Sequence, residues 1–188
     1  RPEVLGPADA PDGATGDRGD GVPQGHLVAV AGHRPPELGG YDPNPVADRV
    51  RTKLAEILAA TLSIRPDLVV LTGLGLGAEQ LGAEAATEAA VPYVAVLAFP
   101  SQDSVWPQAS RARYGALLAG AAGQVVVQAR APATKAQAGA ALARRDAWLA
   151  RHADEAVVVW DRRDPAVGRL ARSFQEALGE TEVWLLEP

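Results

Sequence analysis

The chain has 188 residues, of which 47% are hydrophobic and 22% are charged, so it is long enough for one domain with a core and too short for two large ones. Its 18 basic and 23 acidic residues give a net charge of −5, which argues against binding long nucleic acids through bulk charge, and we expect no nucleic-acid partner. The absence of cysteine excludes disulfides, thiolate metal sites and cysteine nucleophiles. No apolar run reaches the length of about 18 residues that spans a membrane, so we expect no membrane partner and a cytoplasmic protein.

Residues 1–25 differ in composition from the rest of the chain. They are rich in Gly, Pro, Asp and Ala and contain few large apolar side chains, so they cannot bury enough surface to offset the entropy of ordering. We predict a flexible tail or linker over residues 1–25 and a single domain over residues 26–188.

Six short apolar runs predict β-strands. They cover His26–Gly32, Leu68–Gly73, Pro92–Ala98, Gln124–Gln128, Ala156–Asp161 and Glu182–Leu186. Most are continuous and rich in valine, which is typical of strands buried on both faces of a parallel sheet. Trp160 and Trp184 lie within two of these runs, so we expect both side chains in the core.

Amphipathic segments between the strands predict five helices. Apolar residues recur every fourth position from Val46 to Leu62, and Pro66 ends that helix. Pro107 suits the first turn of another helix, and Asp164 with Pro165 forms an N-cap and first-position pair. The repeated alternation predicts an α/β fold, a Rossmann-like three-layer α/β/α sandwich with a mostly parallel sheet of about six strands.

Ligands of open parallel sheets bind outside the carboxyl ends of the strands, so the residues after each strand are the candidate site. Gly32, His33 and Arg34 follow the first strand, and the planar guanidinium of Arg34 suits a phosphate or carboxylate. The alternative is that Arg34 pairs with a surface acid in a loop stiffened by proline. The three histidines show no metal-binding spacing, so we expect no metal site.

A glycine-rich segment follows the second strand and leads directly into a helix. Gly73, Gly75 and Gly77 let backbone N–H groups approach a phosphate at the helix N-terminus. Glu79 is either a catalytic base, an acceptor for ribose hydroxyls, or a carboxylate that stabilises the first helical turn. A dinucleotide-dependent oxidoreductase is disfavoured, because its glycine fingerprint follows the first strand and an acid ends the next one.

Three further candidates each have two interpretations. Trp106 either stacks on a nucleobase or covers the helix that follows it. Asp161, at the end of the fifth strand, either accepts from sugar hydroxyls or belongs to an ordinary loop. Arg145 falls on or beside a buried helix face, where its charge needs a partner, which is either Asp146 or a ligand.

Together these segments resemble the SLOG superfamily, the Rossmann-like group that contains DprA, the LOG phosphoribohydrolases and molybdenum-cofactor carrier proteins, and they resemble its YpsA-like branch most. The resemblance spans about residues 26–186. It is carried by Gly32-His33-Arg34-Pro35, Leu38-Gly39-Gly40-Tyr41, Thr72-Gly73, Gly77-Ala78-Glu79, Phe99-Pro100, Trp106, Arg113-Tyr114, Arg145-Asp146, Ala153-Asp154 and Trp160-Asp161.

The resemblance implies that the carboxyl edge of the sheet binds a nucleotide or a nucleotide-derived ligand, similar to ADP-ribose or a nucleotide sugar. The implied partner is a small phosphate-bearing ligand, and no other cofactor is identified. The residues expected to bind it are Gly32, His33, Arg34, Gly73, Gly75, Gly77, Glu79, Pro100, Trp106, Arg145, Asp146, Asp161 and Gly168. Relatives often form dimers, so the resemblance also suggests a homodimer.

Two alternative functions remain open at this point. One is a LOG-like phosphoribohydrolase that cleaves a nucleoside 5'-monophosphate at its glycosidic bond. The LOG enzymes take a catalytic glutamate from a PGGxGTxxE motif, which this chain lacks; its counterpart region, residues 161–168, keeps the single Gly168. The other alternative is a scaffold whose pocket has decayed and which works through self-association or a partner.

Overall fold

A computed structural model of the chain describes residues 21–188. One sheet of six strands, in the order β4-β3-β2-β1-β5-β6, runs through this part, and all five strand pairs are parallel. The strands are β1 (His26–Gly32), β2 (Leu68–Thr72), β3 (Tyr93–Leu97), β4 (Gly123–Val126), β5 (Glu155–Val159) and β6 (Val183–Leu186). The predicted Rossmann-like α/β fold is therefore confirmed. Residues 1–20 of the predicted tail lie outside the described residues.

Five α-helices connect the strands, as predicted. They are α1 (Pro45–Ile64), α2 (Ala78–Glu88), α3 (Gln108–Gly120), α4 (Lys135–His152) and α5 (Pro165–Leu178), with short 3-10 helices at Pro35–Leu38 and Glu180–Glu182. The Asp164 carboxylate accepts from the N–H groups of Ala166 and Val167, which confirms the predicted N-cap of α5. Within residues 21–188, no helix combines the length and the apolar character needed to cross a membrane.

The helices form two layers, one on each face of the sheet. The apolar side chains of α1, α2 and α3 pack on one face; Leu54 and Leu58, one turn apart in α1, are fully buried there. The apolar side chains of α4 and α5 pack on the other face, where Leu149 and Phe174 are fully buried. Both faces of the central strands are therefore covered, which explains their continuous valine runs.

One expectation about the core is wrong, because Trp184 is 53% exposed. Trp184 lies in β6, an edge strand that pairs only with β5, among the described residues. Its side chain shares a face with Leu186, the face on which α1 packs against the middle of the sheet. An apolar run therefore identified the strand correctly but not whether both of its faces are covered.

The strand order places a topological switch point between β1 and β5. From β1 the chain moves outward through β2 and β3 to β4, and it then returns to the other side of β1 to form β5. Loops that leave β1 and β5 at their carboxyl ends consequently diverge, and in open α/β sheets this divergence creates the crevice where ligands bind.

Candidate functional site

An open crevice of about 580 Å³, here called the main lobe, lies at this switch point. His33 and Arg34 after β1, Glu79 in α2, and Arg145 and Asp146 in α4 all contribute to its walls. The start of α5 closes another side. The fold thus brings predicted site residues from three separate segments of the chain around one space.

Gly32 and His33 form the part of the wall that joins β1 to β5. Gly32 has a φ of 137°, and a Cβ added to it would lie 2.2 Å from the carbonyl oxygen of Val159, so only glycine fits there. His33 is 1% exposed, and its Nε2 accepts a hydrogen bond of 2.7 Å from the backbone N–H of Asp161. The other ring nitrogen, Nδ1, is buried and has no hydrogen-bond partner among residues 21–188.

Glu79, Arg145 and Asp146 form a charged cluster in the floor of the main lobe. Arg145 is 5% exposed, and its Nη1 lies 2.8 Å from Oε1 of Glu79. Its Nη2 lies 3.0 Å from Oδ1 of Asp146. Arg145 therefore has protein partners for its buried charge, one on its own helix and one on α2 across the sheet edge.

Burial raises the pKa of the Glu79 carboxyl above its ordinary value. The Arg145 guanidinium acts in the opposite direction, while the negative charge of Asp146 adds to the increase. Arg34 also lowers the pKa of this carboxyl, but burial outweighs both guanidinium groups, so the protonated form of Glu79 is favoured more than it is in water.

Gly73 and Gly75 pack against this charged cluster and are not among the residues that line the main lobe. A Cβ on Gly73 would lie 1.9 Å from Nη1 of Arg145 and 2.1 Å from Oε1 of Glu79. The N–H of Gly75 donates to the Glu79 carboxylate, and the N–H of Leu74 donates to Thr72 Oγ1. These glycines thus make room for an ion pair, and the N–H groups of Leu74 and Gly75 are bonded within the protein.

Gly77 lies at the start of α2, beside a smaller cavity of about 280 Å³, here called the side lobe. Its φ is 96°, and a Cβ there would lie 2.4 Å from the carbonyl oxygen of His33. That carbonyl accepts a hydrogen bond of 2.9 Å from the N–H of Ala78, which ties α2 to the end of β1. The main and side lobes share four lining residues, so they are parts of one crevice: Pro35, Gly40, Tyr41 and Leu76.

Asp161 organises the loop between β5 and α5. Its Oδ1 accepts from the N–H groups of Asp164 and Arg163, which lowers the pKa of the Asp161 carboxyl, and it lies 3.1 Å from Nε2 of His33. Asp161 contacts the wall through His33 without lining either lobe itself. Asp164 lines the main lobe, and because it caps α5, the first N–H groups of that helix already have a partner.

Three further predicted site residues, besides Gly73, Gly75 and Asp161, lie outside both lobes. Pro100 is exposed in the loop after β3. Trp106 is half-buried and packs edge-on against Tyr114, with 5.3 Å between the ring centroids, so it covers α3 as the second interpretation has it. Gly168 lies within α5, where a Cβ would be 2.8 Å from the Trp160 ring.

The sequence did not single out Tyr41, Asp42 or Gln80, all of which line the side lobe. Asp42 lies in a charged network with Arg51 and Arg113, at 2.6 and 2.7 Å from its Oδ2, and this network fixes the loop before α1. Tyr41 belongs to a motif quoted for the family resemblance, which is the only sequence signal for any of the three. No periodicity or spacing distinguishes a buried Gln80 from an exposed one.

Acidic groups outnumber basic ones around the main lobe. Its charged lining residues are Arg34, Glu37, Glu79, Arg145, Asp146 and Asp164. Arg145 has two carboxylate partners, whereas Arg34 is exposed and makes no salt bridge with any of residues 21–188. In the same range, no group of three or more His, Asp and Glu side chains is arranged to hold a metal ion.

A family model described as the YspA SLOG family (YpsA) matches residues 28–180. The fold is similar to that of DNA processing protein A from Helicobacter pylori, the subject of a study of its single-stranded DNA binding mode, with a TM-score of 0.55 and 17% identity over 85% of this chain. It is also similar to DprA from Streptococcus pneumoniae, with a TM-score of 0.55 and 16% identity over 86% of this chain. The chain covers 64% and 50% of these two structures. No curated protein matches the sequence.

The expectation of no nucleic-acid partner is contradicted by this comparison, because a protein with the same fold binds single-stranded DNA. The expectation relied on net charge, which averages over the whole chain. Residues 1–20 hold five acidic and two basic residues, which leaves 18 acidic and 16 basic residues in the described part. Within that part charge is unevenly distributed: the exposed charged residues of α4 are all basic, namely Lys135, Arg144 and Arg151.

Proposed function

Since this chain belongs to the YspA SLOG family, we propose that it binds a nucleotide or a nucleotide-derived ligand in the crevice at the carboxyl ends of β1 and β5. The observation that carries the proposal is the main lobe itself, where His33, Arg34, Glu79 and Arg145 border one open space at the switch point of the sheet. A space of about 580 Å³ is within the range of small-molecule sites.

Arg34 is the residue that would bind the phosphate. Among residues 21–188 it is the one arginine of the main-lobe wall that makes no salt bridge, although its charge attracts the Glu79 carboxylate, and it is exposed. Arg145 already has Glu79 and Asp146, so it contributes less to an incoming anion. A single guanidinium with no salt bridge to residues 21–188 favours a ligand with one phosphate group over a ligand with several.

The acidic floor of the main lobe would hold the sugar. Carboxylates accept hydrogen bonds from hydroxyl groups, and the Glu79 and Asp146 carboxylates both lie in the floor. Arg145 holds these two carboxylates in place before a ligand arrives, which reduces the entropy lost on binding. Ribose hydroxyls toward the floor and phosphate toward Arg34 would satisfy both charge and hydrogen bonding.

A combined thermal-shift and base-release assay tests the proposal. Purified protein is incubated with AMP, ADP-ribose, NAD or ribose 5-phosphate, while the melting temperature and the free base are measured. We expect stabilisation by at least one nucleotide, weakened in Arg34→Ala and retained in the control Arg49→Ala, an exposed arginine of α1 outside both lobes. The proposal would be contradicted if none of these compounds raises the melting temperature at millimolar concentration.

The same assay separates a binding protein from a phosphoribohydrolase. Stabilisation without free base indicates a sensor or carrier of the ligand. Release of base that disappears in Glu79→Gln indicates that the floor carboxylate assists departure of the base. We favour binding, because Glu79 is held in an ion pair and the chain lacks the PGGxGTxxE motif.

Single-stranded nucleic acid is a second candidate ligand, favoured by the DprA-like fold and by the basic exposed charges of α4. Arg34 and Arg163 add exposed positive charge at the carboxyl edge. Fluorescence anisotropy with a labelled single-stranded oligonucleotide tests it, with binding expected to weaken steeply between about 50 and 200 mM salt. The double variant Arg144→Ala with Arg151→Ala should bind the oligonucleotide more weakly than wild type at the same salt concentration. Absence of binding by wild type at low salt would exclude this candidate.

A further inference from the structure

We infer that the side lobe is a base subsite, which receives a heteroaromatic ring with an exocyclic amino group and hydrogen-bonds that group through Oε1 of Gln80. The inference rests on the proposed function, because the ring would belong to the ligand whose sugar and phosphate occupy the main lobe. It goes further by naming the class of base that the site selects.

Gln80 provides an acceptor that the protein leaves unused. Its side chain is fully buried, and its Nε2 donates a hydrogen bond of 3.2 Å to the carbonyl oxygen of Leu74. A carbonyl only accepts, so this bond fixes which way the amide is turned and leaves Oε1 without a partner among residues 21–188. Buried side-chain acceptors nearly always have a partner, so an orphaned one in a cavity wall points to a ligand donor.

Asp42 provides a second unused acceptor in the same wall. Arg51 and Arg113 bind its Oδ2 and hold the carboxylate in position, while its Oδ1 is buried and has no hydrogen-bond partner in the described part of the chain. Two acceptor oxygens favour an occupant with N–H donors and disfavour a carboxylate or a phosphate. An amino group on a nucleobase supplies such donors and is neutral.

The remaining wall of the side lobe is largely apolar. Leu38, Ala47 and Leu81 are buried there, and Leu76, Pro107 and Ala109 add further apolar surface, while Ser110 and Arg113 are its other polar members. The volume of about 280 Å³ is slightly smaller than that of a typical ligand pocket, which suits one planar ring system as part of a larger ligand. An apolar slot with a few placed polar atoms is the arrangement that binds a flat heteroaromatic ring.

Tyr41 lies where the two lobes meet and lines both of them. It is 62% exposed, so its ring has little packing to lose by turning toward a base. Tyr41 is therefore better placed to cover a base than Trp106, which packs on Tyr114.

Isothermal titration calorimetry with matched nucleotides tests the inference. The probes are AMP, GMP and CMP, which carry an exocyclic amino group, purine riboside 5'-monophosphate, which lacks it, and ribose 5-phosphate, which lacks the base. We expect at least one amino-bearing nucleotide to bind about tenfold more tightly than purine riboside 5'-monophosphate. In Gln80→Met this preference should disappear, while the affinity for ribose 5-phosphate stays the same.

The possible failures of this experiment are distinguishable. If all nucleotides and ribose 5-phosphate bind equally well, the proposed base subsite is wrong, whereas ligand binding in the main lobe is still supported. If no probe binds, the proposed function itself is wrong. Gln80→Met changes a buried residue, so Tyr41→Ala serves as a second variant, which should fold normally. Tyr41→Ala should weaken the binding of AMP more than the binding of ribose 5-phosphate. Val105→Ala, at an 88% exposed position outside both lobes, is its control.

Discussion

Oε1 of Glu79 lies 2.8 Å from Nη1 of Arg145, although the two residues are 66 positions apart in the chain. Glu79 belongs to α2 and Arg145 to α4, and these helices pack on opposite faces of the sheet. The ion pair therefore joins the two helical layers across the carboxyl edge. It also holds the floor of the proposed ligand site in one arrangement before a ligand binds.

Replacing Arg145 should destabilise the protein strongly. Arg145→Met keeps much of the side-chain volume but leaves the carboxylates of Glu79 and Asp146 without their cation, so we expect a loss of about 3 to 5 kcal/mol in the free energy of unfolding. Urea denaturation followed by circular dichroism measures it. The double variant Arg145→Met with Glu79→Gln should recover part of the loss, because one of the two stranded charges is then removed. A double variant no more stable than Arg145→Met would contradict the ion-pair account.

The pH dependence of stability should report the raised pKa of Glu79. Below its ordinary pKa of 4.5, Glu79 is protonated in both the folded and the unfolded chain. As the pH rises toward the folded-state pKa, the unfolded chain ionises first, so this group contributes less to stability at higher pH. The unfolding free energy of wild type minus that of Glu79→Gln should therefore decrease as pH increases above 4.5 and then level off. If that difference grows with pH, attraction to Arg145 dominates and the pKa is lowered.

Gly73→Ala should destabilise the protein, because its Cβ would lie 1.9 Å from Nη1 of Arg145. Arg145 is buried with two partners and cannot move without breaking an ion pair, so we expect a loss of about 1 to 3 kcal/mol. Gly139→Ala in α4 is the matched control: none of residues 21–188 outside its own helical turn lies within 4 Å of its added Cβ, and alanine should stabilise the helix by about 0.5 to 1 kcal/mol. Thermal and urea denaturation of both variants measure this, and equal effects would refute a packing role for Gly73.

Gly168 distinguishes a packing glycine from a ligand-binding one. The Trp160 ring is fixed by a hydrogen bond of 2.9 Å from its Nε1 to the carbonyl oxygen of Asp164, and an added Cβ on Gly168 would lie 2.8 Å from that ring. Overpacking of about 1 to 3 kcal/mol should exceed the gain in helix propensity of about 1 kcal/mol, so Gly168→Ala should be less stable. Nucleotide affinity should not change at temperatures where the variant is folded. A fall in nucleotide affinity without a fall in stability would indicate that Gly168 belongs to the ligand site.

The fold was predictable because its signals are local. Valine-rich runs located the six strands, and the Asp164 cap and the four-residue spacing in α1 located helices. Whether an element is covered is not a local property, which is why Trp184 was wrongly placed in the core: its exposure depends on β6 being an edge strand.

The candidate site was predictable only in part, for the same physical reason. His33, Arg34 and Glu79 follow strand ends, and all parallel strands end at one edge of the sheet, so their meeting could be expected. The packing of Gly73 against Arg145 could not be predicted from sequence, since a glycine that accommodates an arginine side chain looks like one that accommodates a phosphate. Gln80 was missed because an unused hydrogen-bond acceptor exists only once the surrounding chain has folded.

An NMR titration tests the central claim most directly. Amide shifts of ¹⁵N-labelled protein are followed as AMP is added, with ribose 5-phosphate and inorganic phosphate as comparisons. If the ligand binds at the switch point, the largest shifts with AMP should fall at Gly32, His33, Arg34 and Asp161 and at the start of α5, and they should saturate. Two results would contradict a nucleotide site between β1 and β5. One is the absence of shifts up to millimolar AMP, and the other is shifts that cluster around Trp184, near the amino ends of the strands.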